Sequence, residues 1–121
     1  MELRGQLVLA VADAGLRSVL AALLGMAGEL PITTADHLDP TLGEELRGSS
    51  MLIIEDRLID AAPGEWIETL RNQCWLGDMI IITEESASAV SVDSDVVAVD
   101  RWNVAVAMLP IVARWRARTA T

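Results

Sequence analysis

Met51-Leu52-Ile53-Ile54-Glu55-Asp56 sets four consecutive apolar residues directly before two carboxylates. A short apolar run of this kind, without polar alternation, reads as a strand covered on both faces. The acids would then stand where that strand emerges from the sheet. Just upstream, Gly48-Ser49-Ser50 closes a two-turn helix expected over Thr41 to Arg47, whose thin apolar face is Leu42 and Leu46. Downstream, the loop Ala61-Ala62-Pro63-Gly64 leads into a helix from about Glu65 to Trp75, with Trp66, Ile67, Leu70 and Cys74 turned inward.

The same pattern recurs outward from this segment. Gln6 to Ala12 (QLVLAVA) is a second continuous apolar run, and Leu16, Val19, Leu20, Leu23 and Leu24 follow at helical spacing before a stop at Gly28. Pro31 to Ala35 reads as a short strand near an edge, since proline is poorly tolerated inside a central one. Asp78 to Thr83 (DMIIIT) and Val96 to Val99 (VVAV) complete five strands. Between them Glu84 to Ser94 is acidic and serine-rich, too poor in apolar residues for a well-buried helix. A last helix is expected from Asn103 to about Arg118, kinked at Pro110, with arginines at the negative end of its dipole. Strands alternating with helices imply right-handed crossovers and a parallel sheet covered on both faces. Residues 1–121 form one such domain.

Composition narrows the function classes. The chain has 52% hydrophobic residues and a net charge of −9, which suits a packed domain and opposes non-specific nucleic-acid binding. No run approaches the roughly 18 apolar residues of a membrane helix, and Asp13 and Arg17 interrupt the most apolar stretch. A single cysteine, Cys74, excludes an internal disulfide framework and fits a reducing compartment, so a cytoplasmic location is expected. All nine basic residues are arginines; lysine is absent.

With these residues in place, the chain resembles the receiver domain of bacterial two-component response regulators, the CheY-like branch of the flavodoxin-like fold. The resemblance implies a three-layer sandwich with strand order 2-1-3-4-5 and a site at the carboxyl ends of the strands. Carried over onto this sequence, the magnesium-holding acids of the first strand reduce to Asp13, preceded by Val11 and Ala12. The phosphoacceptor position falls on Glu55, with Asp56 one step later and turned to the opposite face. Thr83 matches the hydroxyl residue that ends the fourth strand. Where the family carries lysine and proline after the fifth strand, this chain has Asp100-Arg101-Trp102. Asp13 and Glu55 would hold magnesium almost alone, and a glutamate nucleophile is misplaced by about an ångström, an error that can cost ~10²-fold in rate. Arg101 supplies charge but not a compact ammonium. Glu55 is then either a mimic of the phosphorylated acceptor, held by Thr83 and Arg101, or a solvated strand-end carboxylate.

The resemblance therefore implies a pseudo-receiver: a non-enzymatic signalling module with a degraded phosphorylation site, no metal and no cofactor, which binds a protein partner, a covalently linked domain or itself. The family transmits its signal through the face of its fourth helix, fifth strand and fifth helix, often by dimerisation. Trp102 and Pro110 are the candidate contacts there, beside a fourth helix about one turn short. A competing expectation is a cyclic dinucleotide gripped by Arg114, Trp115, Arg116 and Arg118 through phosphate forks and base stacking; against it, Trp115 would sit in the core and the arginines would cap the helix. His37, flanked by Asp36 and lacking a second ligand, reads as a surface residue. No nucleophile, metal or phosphate-loop motif is present.

Overall fold

Strand β1 (Leu7–Ala10) is paired on both sides, by β2 (Ile32–Ala35) and by β3 (Met51–Glu55), which explains its unbroken apolar run. The computed structural model describes residues 6–29, 32–84, 90–93 and 95–119. Beyond β3 lie β4 (Met79–Thr83) and β6 (Val96–Asp100), both parallel to it. These five strands form a flavodoxin-like parallel sheet in the doubly wound order. A sixth, β5 (Val90–Asp93), pairs antiparallel with β6 at the border, with an irregularity between Ser91 and Asp93.

That border strand corrects the expectation of a shortened helix between the fourth and fifth parallel strands over Val90–Asp93; residues 85–89 and 94 of that segment lie outside the described residues. Among the described residues this segment contains no helix; its chain returns beside β6 as a hairpin. Three other expectations shift. The second helix, α2, spans Glu44–Ser49 rather than Thr41 to Arg47, with none of its residues buried. The last helix, α4, spans Val104–Thr119 rather than Asn103 to Arg118, with Pro110 inside it. The bond that proline removes belongs to Val106, which like Pro110 lies on the exposed side.

Alternation along the strands divides the core into two layers. Leu7, Leu9, Met51, Ile53, Ile80, Ile82 and Val99 face α1 (Ala14–Met26) and α4, which contribute Leu20, Leu24, Val104, Met108, Val112 and Trp115. Val8, Ala10, Leu52, Ile54, Met79 and Ile81 face the other way, toward Leu70 of α3 (Trp66–Asn72), Trp75 and Ile59. Short α2 leaves a cavity of about 330 Å³ on this second side, between Leu58, Ile59, Leu70, Trp75 and Arg47.

The third helix stops three residues earlier than its apolar spacing suggests. Cys74 lies outside it with φ +73°, and the Trp75 amide donates to the Leu70 carbonyl at 3.1 Å while the Cys74 amide donates to that of Arg71 at 3.0 Å. This is the six-residue Schellman closure, normally built on glycine. The first helix ends identically, but with Gly28 at φ +84° in the same position. A side chain held left-handed costs about 1 kcal/mol. Cys74→Gly should therefore raise the urea midpoint at unchanged slope, equivalent to ~1 kcal/mol. Cys74→Val, branched at Cβ, should lower it.

Candidate functional site

The carboxyl ends of β1, β3, β4 and β6 bring Asp13, Glu55, Asp56, Thr83 and Arg101 to one edge of the sheet. Asp13 is the N-cap of α1: its Oδ1 accepts from the Leu16 amide at 3.1 Å. Its other oxygen is paired with the Arg101 guanidinium. The Leu16 amide and then Arg101 hold the Asp13 carboxyl below the usual aspartate range. Arg101 also reaches Glu84, with Nη1 3.5 Å from Oε1.

Buried Asp100 aims Arg101. Its Oδ1 accepts from the amides of Trp102 and Asn103, each at 3.0 Å, and its carboxylate also takes the Asn103 side-chain amide. The turn out of β6 is fixed by these bonds, and the Arg101 amide donates to the Thr83 carbonyl at 3.0 Å. Asp100 thus has a positioning role that its sequence context did not signal.

Glu55 is only 2% exposed. A carboxylate this deep must be hydrogen-bonded and paired. Oε1 accepts from the Ala12 amide at 2.5 Å and the Asp13 amide at 3.1 Å, while Arg57 stands 3.2 Å from Oε2. Glu55 is therefore not a solvated carboxylate. The cation beside it is Arg57, and Arg101 is engaged by Asp13 and Glu84 instead. The extra methylene of glutamate carries the carboxylate across to the loop between β1 and α1. That loop is steadied from its far side by Arg17, whose Nη1 donates to the Val11 carbonyl at 2.8 Å.

Asp56 leaves β3 for a 3-10 turn and diverges from Glu55, accepting from the Glu84 amide at 3.4 Å. Sequence reasoning placed the acids correctly at the edge but missed Arg57, Glu84 and Arg17, whose roles depend on loop paths. Among the described residues no three acidic, histidine or cysteine side chains converge as a metal site. His37 is exposed and its Nδ1 lies 2.8 Å from Asp36, whose carboxyl this contact lowers.

The remaining candidates separate. Trp102 is 67% exposed and Pro110 is exposed as well. Trp115 is buried against the sheet, so its ring cannot receive a base in the manner the cyclic-dinucleotide expectation requires. The Arg116 guanidinium lies 4.4 Å from the Trp115 ring centre and its Nε is 3.0 Å from Glu29. Arg118 pairs with Asp78 and, at 3.7 Å, with Asp95. Arg114 alone of this group points to solvent without a charged partner among the described residues.

The fold and this edge define a flavodoxin-like α/β sandwich whose strand-end polar groups are largely satisfied by one another. No family model, curated protein or solved structure matches the chain. No helix among the described residues is long and apolar enough to cross a membrane.

Proposed function

We propose that the chain is a pseudo-receiver of bacterial two-component signalling, a non-enzymatic cytoplasmic module that acts by binding protein rather than by accepting a phosphoryl group. The observation that carries this reading is the placement of Glu55. Its carboxylate occupies the two amides at the start of α1, and Asp13, the one acid of that loop, is committed to a helix cap and to Arg101. A phosphoacceptor needs a free nucleophilic oxygen, a divalent cation with open coordination positions and a mobile cation to neutralise the product. Here each candidate group already has a partner, and among the described residues no side chain converges with Asp13 and Glu55 to complete a magnesium site.

The test is a nitrogen-15 NMR titration with magnesium and beryllofluoride, run beside acetyl phosphate treatment with mass readout. The amides of Ala12, Asp13, Glu55 and Asp56 should stay in place and no phosphate adduct should form. Glu55→Asp should behave in the same way, because Val11 and Ala12 add no ligand. Stoichiometric modification, or a saturable shift at Glu55 or Asp56, would overturn the reading.

A further inference from the structure

The two helices on one side of the sheet carry no acidic residue. Helices α1 and α4, of 13 and 16 residues, contain none of the chain's 18 acids but four of its nine arginines. With +4 on these helices, the remainder of the chain bears −13. Arg17, Arg116 and Arg118 are tied down by the contacts described above. Arg114 stays exposed and Arg118 more than half exposed, so the outer surface of this layer carries arginine but no helix acid in a strongly anionic protein.

It is also apolar. Val106 is 82% exposed and Met26 85%, Trp102 is two-thirds exposed and Val19 half exposed. Along α4 the exposed positions Val106, Pro110, Ala113 and Ala117 recur every three or four residues, forming a stripe without a charge, and exposed Trp102 stands in the turn just before the helix. Ala22 continues the apolar surface on α1. An exposed patch of this kind marks an interaction surface.

We infer that this α1–α4 face binds a second copy of the chain, giving a two-fold dimer closed by four helices. The inference rests on the protein-binding reading above and names its partner. Three observations favour a second copy. The stripe is self-complementary, with large residues (Trp102, Val106) at its start and small ones (Ala113, Ala117) at its end. Antiparallel packing about Pro110 sets large against small at both ends, as an isologous interface requires. The same arrangement brings Arg114 near Trp102 of the second copy, within reach of a cation–π contact. Finally, two bodies of charge −9 repel, and this acid-free face is where that repulsion is least.

The area is sufficient. Helices about 20 and 24 Å long, lying ~10 Å apart, present a footprint on the order of 500 Å². Two copies would bury ~1,000 Å², the lower bound for a biological interface and the size of a weak, reversible one. Because the segment before β6 forms a border hairpin rather than a helix, this surface differs from the fourth-helix face that the family resemblance implied.

Sedimentation velocity from about 5 to 500 µM tests the assignment, with circular dichroism as the folding control. The wild-type chain should dimerise, more tightly as sodium chloride screens the repulsion. Val106→Glu and Ala22→Glu, both at exposed positions, should each shift the midpoint at least tenfold toward monomer. Glu68→Arg, on exposed α3 surface, should leave the chain dimeric. A wild-type monomer at every concentration overturns the assignment, as does a dimer that survives either glutamate substitution. These outcomes are independent of the beryllofluoride titration, so the dimer can fail while the switchless reading stands, and the reverse.

Discussion

Gly77→Ala should lower the melting temperature by roughly 10 °C, equivalent to ~3 kcal/mol. A Cβ at residue 77 would lie 2.5 Å from the Ser50 carbonyl oxygen and 3.4 Å from its carbon. Both are backbone atoms of a residue that is itself 1% exposed, so no side chain can swing aside. Relief requires the segment before β4 to move away from the segment before β3. Those segments are joined by the bond from the Leu52 amide to the Asp78 carbonyl, 3.1 Å, which starts the β3–β4 ladder. The clash is therefore transmitted into the centre of the sheet. Gly64→Ala is the matched control: a Cβ there meets nothing within 4 Å, and the melting temperature should stay within about a degree. Differential scanning calorimetry on both variants decides the matter; equal melting temperatures would remove the steric account.

Glu55 gives the second large effect, and its three substitutions should rank in an informative order. Glu55→Ala leaves the Ala12 and Asp13 amides without their acceptor and opens a hole beneath them, costing ~2–4 kcal/mol. Glu55→Asp shortens the side chain by one methylene, so the carboxylate cannot span to both amides. Its loss should approach that of alanine, although aspartate is the natural residue of a phosphoacceptor site. Glu55→Gln should be the mildest. Both amides donate to Oε1, which a glutamine oxygen can replace, and the lost ion pair involves Arg57, whose side chain is 47% exposed. Pairs so open to solvent contribute about 1 kcal/mol or less. Urea denaturation of the three variants reads the order directly. Stability of Glu55→Asp equal to wild type would show that the amide contacts do not hold the carboxylate in place.

Much of the architecture was legible because buried parallel strands leave little choice of residue. QLVLAVA, MLIIED, DMIIIT and VVAV each mark their strand by apolar content alone, and each sits in the expected order. The border strand was less visible. Val90-Ser91-Val92-Asp93 alternates with the two-residue period of a strand covered on one side, but the acids and serines around it suggested only a poor helix. At Cys74 the helical spacing ran on beyond the helix itself, since cysteine carries no signal for a left-handed closure. The strand-end acids were legible as a group. Their partners were not, because Glu55 meets amides more than forty residues away and Arg101 meets a carboxylate 88 residues away. Such pairings depend on where loops pass, which local composition does not encode.

The antiparallel border has one further consequence. A parallel neighbour must be reached by a long excursion over the sheet, whereas β5 lies antiparallel to β6, the strand that follows it in the chain, and adds width at the border. The outermost strand is thus a locally closed module. It can zip or fray on its own, on the microsecond timescale of a hairpin, while the pairings among the five strands inside stay intact.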